Sequence, residues 1–170
     1  MKDLETLKKS AGAGIIIYFD NRGIISPLVE GLEQDILYLF LKDLNDKFDF
    51  PKGTIDFGED EYSCAIREVK EEINILVNTD YILIDKQGKL FNDKTEDVMY
   101  TLKMFVGEIK RDSLSKLSIK ENPHTSIKEH KDFFLLSKEK GEGKLSYYLK
   151  NPLDWANSIV LEYIDEDIEY

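Results

Sequence analysis

The sequence predicts an α/β fold in a single domain, and three observations carry this. The apolar runs Ile15–Phe19 and Ile36–Leu41 have strand length, and no longer apolar run exists. Between Tyr62 and Ile73, apolar residues recur at helical intervals. A length of 170 residues suits one core, and no internal repeat or second domain is visible.

The elements follow in order. Ser10–Phe19 reads as small residues entering a buried strand, and Asp20-Asn21-Arg22-Gly23 as a turn. Asp35–Lys42, rich in Ile, Leu and Tyr, is a second strand, and Asn45–Phe50 a connecting loop. A helix follows, with Asp60 as N-cap and Glu61 in the favourable first turn. Tyr62, Ala65, Ile66, Val69 and Ile73 form its core stripe, and Asn74 suits a left-handed end. Strands are predicted at Tyr81–Asp85, Val98–Ile109 and Lys131–Leu136, with a long loop over Arg111–Lys128. Gly143–Leu149 and Pro152–Ile164 read as helical, Pro152 standing at a helix start. The expected domain spans 1–164, followed by a frayed acidic tail at 165–170.

The single cysteine, Cys64, excludes an internal disulfide and makes a multi-cysteine zinc site implausible. The first residues carry acids and lack the apolar centre of a signal peptide, which predicts a cytoplasmic location, and no membrane partner is expected. A net charge of −11 disfavours a nucleic-acid coating role. The charge is uneven, because Lys103–Lys144 is mildly basic while residues 151–170 hold acids and no Lys or Arg. Solvated surface explains both stretches; the alternative is that the basic one receives a polyphosphate.

The most informative stretch is Gly53–Ile75. At about 100° per residue, Glu71 lies about 60° to one side of Glu68 and Glu72 about 40° to the other. Three carboxylates therefore share one narrow stripe of a helix whose other stripe faces the core. Such a cluster either repels itself or holds a hard divalent cation.

Gly53, Glu59, Arg67, Glu68, Val69, Glu71, Glu72 and Ile75 match the pattern G-x5-E-x7-R-E-U-x-E-E-x-G-U, with U a bulky aliphatic. In this the segment resembles the Nudix hydrolases. It departs at Asn74, where the family has glycine; the need there is a left-handed backbone, which Asn meets best after Gly. The resemblance implies an α/β/α sandwich with a mixed sheet, and a pyrophosphohydrolase acting on a nucleoside diphosphate linked to another group, with Mg²⁺ or Mn²⁺. It implies that Glu68, Glu71 and Glu72 are metal ligands, with the carbonyl of Lys52 a further candidate, and that Arg67 and Glu59 support them. Glu68 is also a candidate general base, since the base varies among these enzymes. Lys52 and Gly53 would also meet the substrate. A non-catalytic nucleotide sensor of the same fold would be marked by loss of a catalytic glutamate, and none is lost.

For the substrate, Ser126–Phe134 resembles the Ser-x-Glu-His-x-x-aromatic region of the dinucleoside tetraphosphate hydrolases, and Phe50-Pro51-Lys52-Gly53 is close to their Pro-Pro-Lys-Gly. By that resemblance Glu129 reaches the metal site, and His130 or Lys131 contacts phosphate. Tyr100 is a candidate for stacking on a base, a core position being the alternative. The partner expected is a nucleotide, most of all a dinucleoside polyphosphate such as diadenosine tetraphosphate. The glutamate box, through Phe50-Pro51-Lys52-Gly53 and Cys64–Glu72, also resembles that of messenger-RNA decapping enzymes, which makes capped RNA an alternative, and inositol pyrophosphates are a third within the same chemistry. No protein partner is implied.

Overall fold

A computed structural model describes residues 8–22, 35–94, 98–123 and 125–168. Among these, β1 is Lys8–Asp20, β2 Ile36–Asp43, β3 Phe48–Asp49, β4 Lys52–Thr54, α1 Glu61–Ile73, β5 Tyr81–Lys94 and β6 Val98–Ile109. They are followed by β7 His130–Ser137, α2 Lys138–Gly141 and α3 Lys150–Ile168. The strands form one sheet in the order β3-β2-β1-β6-β5, with β4 added to β1 and β7 to β2. β1 runs parallel to β6 from Lys8↔Val98 to Tyr18↔Glu108, and every other pairing is antiparallel. The sheet is therefore mixed.

Period-two alternation in β1 divides the core. Ala13, Ile15, Ile17 and Phe19 face one side with Ala65, Val69 and Ile73 of α1. Ile16 and Tyr18 face the other with Leu153, Ala156, Val160 and Ile164 of α3. One helix covers each face, and the α/β/α sandwich is the observed architecture. The core stripe of α1 differs from its prediction at three positions, one of them Ile66, which is only half-buried and outside the core cluster. Tyr62 is exposed and meets Phe105 only at its rim, edge to face, whereas Cys64 is fully buried.

The ends of α1 follow local chemistry. The Asp60 side chain accepts from the Ser63 amide at 2.7 Å, and Asn74 sits at φ 72° with its amide donating to Lys70 O at 3.1 Å. The Asn74 side chain also donates to Lys116 O at 3.1 Å, a contact glycine could not make.

Several boundaries differ from expectation. The loop Asn45–Phe50 contains β3, and the stretch after it contains β4, both too short to show a period. β5 extends well beyond Asp85 because its register shifts hide the alternation. The long loop opens with a 3-10 turn, Arg111–Lys116, whose Lys116 and Ser113 both reach the buried carboxylate of Asp80. The helical segment over Gly143–Leu149 is two short 3-10 turns, Glu142–Lys144 and Tyr147–Leu149. α3 continues to Ile168, so Asp165–Ile168 are helical rather than frayed. Arg22 folds back on Asp20 at 2.6 Å, while Gly23, residues 1–7 and residues 169–170 lie outside the described residues.

β4 docks on β1 through Gly14, where an added Cβ would run into the Pro51 carbonyl and the backbone of Lys52. Gly14→Ala is expected to cost about 1–3 kcal/mol, as overpacking does. Thermal unfolding should fall by several degrees, and an unchanged midpoint would contradict this close approach.

Candidate active site

Arg67 organises the acids. Its Nε donates to Glu59 Oε2 at 2.7 Å and its Nη2 to Glu59 Oε1 at 3.0 Å, a two-pronged pair. Nη1 donates to Glu68 at 3.0 Å and Glu71 at 3.1 Å, and Nη2 also reaches Thr54 O at 3.1 Å. One guanidinium thus ties α1 to β4 and to the loop before the helix. The Arg67 pairing holds Glu59 down at about 2, against a smaller opposing effect of burial.

Glu72 points inward and is 7% exposed. Its carboxylate accepts from the Lys52 amide at 2.9 Å. Burial first, then the nearby charges of Glu68 and Asp49, push its pKa well above the usual range. Glu68 is also raised, by burial, against the pull of Arg67; Glu71 and Glu129 add their repulsion. That repulsion brings Glu129 electrostatically near the cluster, although its own side chain is exposed and takes a hydrogen bond from Asn122 at 2.9 Å. Gly53 completes the corner, since a Cβ there would fall on the Glu68 carboxylate.

Among the described residues no three His, Cys, Asp or Glu side chains surround a common point, because Arg67 draws Glu68 and Glu71 sideways while the Lys52 amide holds Glu72. The donor chemistry nonetheless fits a hard divalent cation. The candidate groups are all carboxylate oxygens, and two of the carboxylates are raised by burial and mutual charge, which a cation would relieve.

Lys52 leads away from the acids. Its Nζ lies 3.2 Å from Asp49 Oδ1 and 5.4 Å from the centre of the Tyr148 ring. Burial alone would lower its pKa, but the Asp49 charge, Tyr148 and the Glu72 charge together outweigh burial, raise the pKa and keep the ammonium charged. His130 is buried, and its Nε2 lies 3.1 Å from Asp49 Oδ2. Its ring is thus engaged with Asp49, behind Lys52. Lys131 is turned to Asp46 in the β2–β3 turn, away from the glutamates.

Tyr100 is not a core residue. It is 44% exposed and, with Phe91, Asn92, Tyr148, Lys52 and Gly53, helps line a cavity of about 440 Å³. The structure therefore gathers Glu59, Arg67, Glu68, Glu71, Glu72, Lys52 and Gly53, with Glu129 within electrostatic reach and Tyr100 across the cavity. Sequence reasoning missed Asp49, inside an apparent loop, and Tyr148 and Phe91, which carry no motif.

A fold of this kind with an acid-lined helix beside a cleft defines a class. A family model described as the NUDIX domain matches residues 13–139, and the chain belongs to that family, a hydrolase of pyrophosphate bonds. Nudix hydrolases generally need divalent metal ions. Among solved structures, it resembles a C. elegans Ap4A hydrolase binary complex at 19% identity and a TM-score of 0.67, over 92% of this chain and 98% of that one. It resembles the MutT protein from Methanosarcina mazei Go1 at 18% and 0.60, over 95% and 99%. A third is the NUDIX domain of Shewanella oneidensis NrtR complexed with ADP ribose, at 10% and 0.60, over 96% and 94%. At these identities the likeness is one of fold. No curated protein matches the sequence. Among the described residues no helix is long and apolar enough to cross a membrane.

The raised Glu72 has a consequence for stability. Its folded pKa lies above the ordinary 4.5, so its contribution is fully present below that value and is lost as pH rises through the raised one. Glu59 runs oppositely, its contribution being present above 4.5 and lost as pH falls toward about 2. In chelator, the thermal midpoint should fall as pH rises above the ordinary 4.5 and through the raised Glu72 pKa. Glu72→Gln, which keeps an acceptor for the Lys52 amide, should flatten that fall; parallel curves for the two proteins would refute it.

Proposed function

We propose that this protein is a Mg²⁺- or Mn²⁺-dependent pyrophosphohydrolase whose substrate is a dinucleoside polyphosphate such as diadenosine tetraphosphate. The observation that carries the reading is the aromatic cavity beside Lys52 and Gly53, whose other neighbours are the clustered glutamates. A cavity lined by the aromatic rings of Phe91, Tyr100 and Tyr148 suits a nucleobase better than an inositol ring. The likeness in fold to the C. elegans Ap4A hydrolase supports the same choice.

In this reading Glu68, Glu71 and Glu72 hold the cation, and Glu129 joins them from the loop before β7. The cation, when bound, neutralises phosphate charge and acidifies water. Glu68, raised by burial, takes the proton from the attacking water, and Arg67 fixes the rotamers of Glu68 and Glu71. The charged Lys52 ammonium meets a phosphate next to the stacked base. Asp49, with His130 behind it, keeps that ammonium in place.

Incubation with Mg²⁺ and diadenosine tetraphosphate should release mononucleotides. Failure to turn over this substrate, capped RNA, ADP-ribose or nucleoside triphosphates would sink the proposal. Glu72→Gln should lower kcat by about two orders of magnitude or more. Near-normal turnover would remove Glu72 from the site, and an unaffected rate in Glu129→Gln at saturating metal would remove Glu129. Tyr148→Ala should raise KM about tenfold, the usual cost of a lost base stack, with a smaller change in kcat; an unchanged KM would place the base elsewhere.

A further inference from the structure

A second cavity, of about 480 Å³, opens between the β2–β3 turn and the segment before α3. Lys42, Lys47, Lys144 and Lys150 line it, with Asp46 as its one carboxylate and Tyr147 at its edge. Asp46 is already engaged, by Lys42 at 3.5 Å and by Lys131. Among the described residues no carboxylate lies within ion-pair distance of Lys47, Lys144 or Lys150. In a chain of net charge −11, a cavity walled by four lysines, with one carboxylate that is already paired, concentrates positive potential.

The cavity has a fixed floor. Phe48 and Leu145 are buried and form a parallel bridge, and the Ser146 amide donates to Phe48 O at 3.1 Å. The Lys144 ammonium lies 5.6 Å over the Phe48 ring. The 3-10 turn Tyr147–Leu149 then separates two openings: Tyr147, 87% exposed, lines this cavity, and Tyr148 lines the aromatic one beside Lys52. Consecutive residues thus stand in the two cavities, about one Cα step apart. Lys131, whose sequence setting pointed to phosphate, sits at the rim of the second cavity through Asp46.

We propose that the lysine-lined cavity binds an oligophosphate chain, the part of a polyphosphate substrate that lies beyond the bond being cleaved. Only the source of the chain rests on the function proposed above; the site itself rests on its lysines.

The test uses the full chain carrying Lys47→Gln, Lys144→Gln and Lys150→Gln together. A control carries Lys86→Gln, Lys110→Gln and Lys140→Gln, which changes net charge equally elsewhere. Calorimetric titration with inorganic tripolyphosphate in chelator, where the glutamates repel anions, should show binding to the parent and the control, at least tenfold weaker in the cavity variant. No binding to the parent, or equal binding by the cavity variant, overturns the site. With Mg²⁺, the cavity variant should show a KM for diadenosine tetraphosphate raised about tenfold at unchanged kcat, and an unchanged KM for ADP-ribose, whose phosphate chain is short. An unaltered KM for the long substrate overturns the link to catalysis. A parent protein that turns over no nucleotide defeats the proposed function alone, and the calorimetry still decides the cavity.

Discussion

A guanidinium set among acids is the constraint on which the rest of the site depends. Without Arg67, the carboxylates of Glu59, Glu68 and Glu71 would repel one another and swing to solvent. With it, they hold one arrangement, because Arg67 meets all three within about hydrogen-bonding distance and reaches the Thr54 carbonyl as well. The planar fork suits this as a lysine would not, since a single ammonium cannot span three carboxylates and a carbonyl in fixed directions. Glu72 lies outside that arrangement and needs its own support, which the backbone of Lys52 provides. The two halves meet at β4, so three residues of strand hold both the acid cluster and the entrance to the cavity.

Lys52 joins reaction and recognition. Its amide faces Glu72, and its ammonium faces Asp49 and Tyr148. A disturbance of Asp49 or His130 is therefore transmitted to the aromatic cavity and the acids together, although neither residue touches a glutamate. The close docking of β4 on Gly14 of β1 makes this transmission stiff, because the central strand of the sheet backs it directly.

The helix was legible because its signals are local. Asp60 caps it, the apolar interval gives its buried side, and the acids fall where an interval of three or four puts them. The fold class was legible for a similar reason, from strand-length runs separated by turns. Glu72 illustrates the limit. Its membership in the stripe could be counted, but its burial depends on β4, a strand too short to have a period. Tyr62 illustrates it again, since it keeps the core interval yet sits at the rim of the sheet. His130 and Asp49 are 81 residues apart, and only the pairing of β2 with both β3 and β7 joins them. The aromatic cavity draws on β5, β6 and the turn before α3, so no contiguous stretch could announce it.

Asn74 bears on how such chains are found. The position is defined by a backbone angle, φ 72°, and by an amide that closes the helix on Lys70. A search pattern that demands glycine there screens for one residue able to meet the requirement, and it discards this chain. A pattern written for the conformation would admit Asn and, with less ease, Asp. It would also admit proteins in which the residue has acquired a second use, as here, where the carboxamide fastens the helix end to Lys116 O. Censuses that count such enzymes by strict letter matching would therefore undercount them.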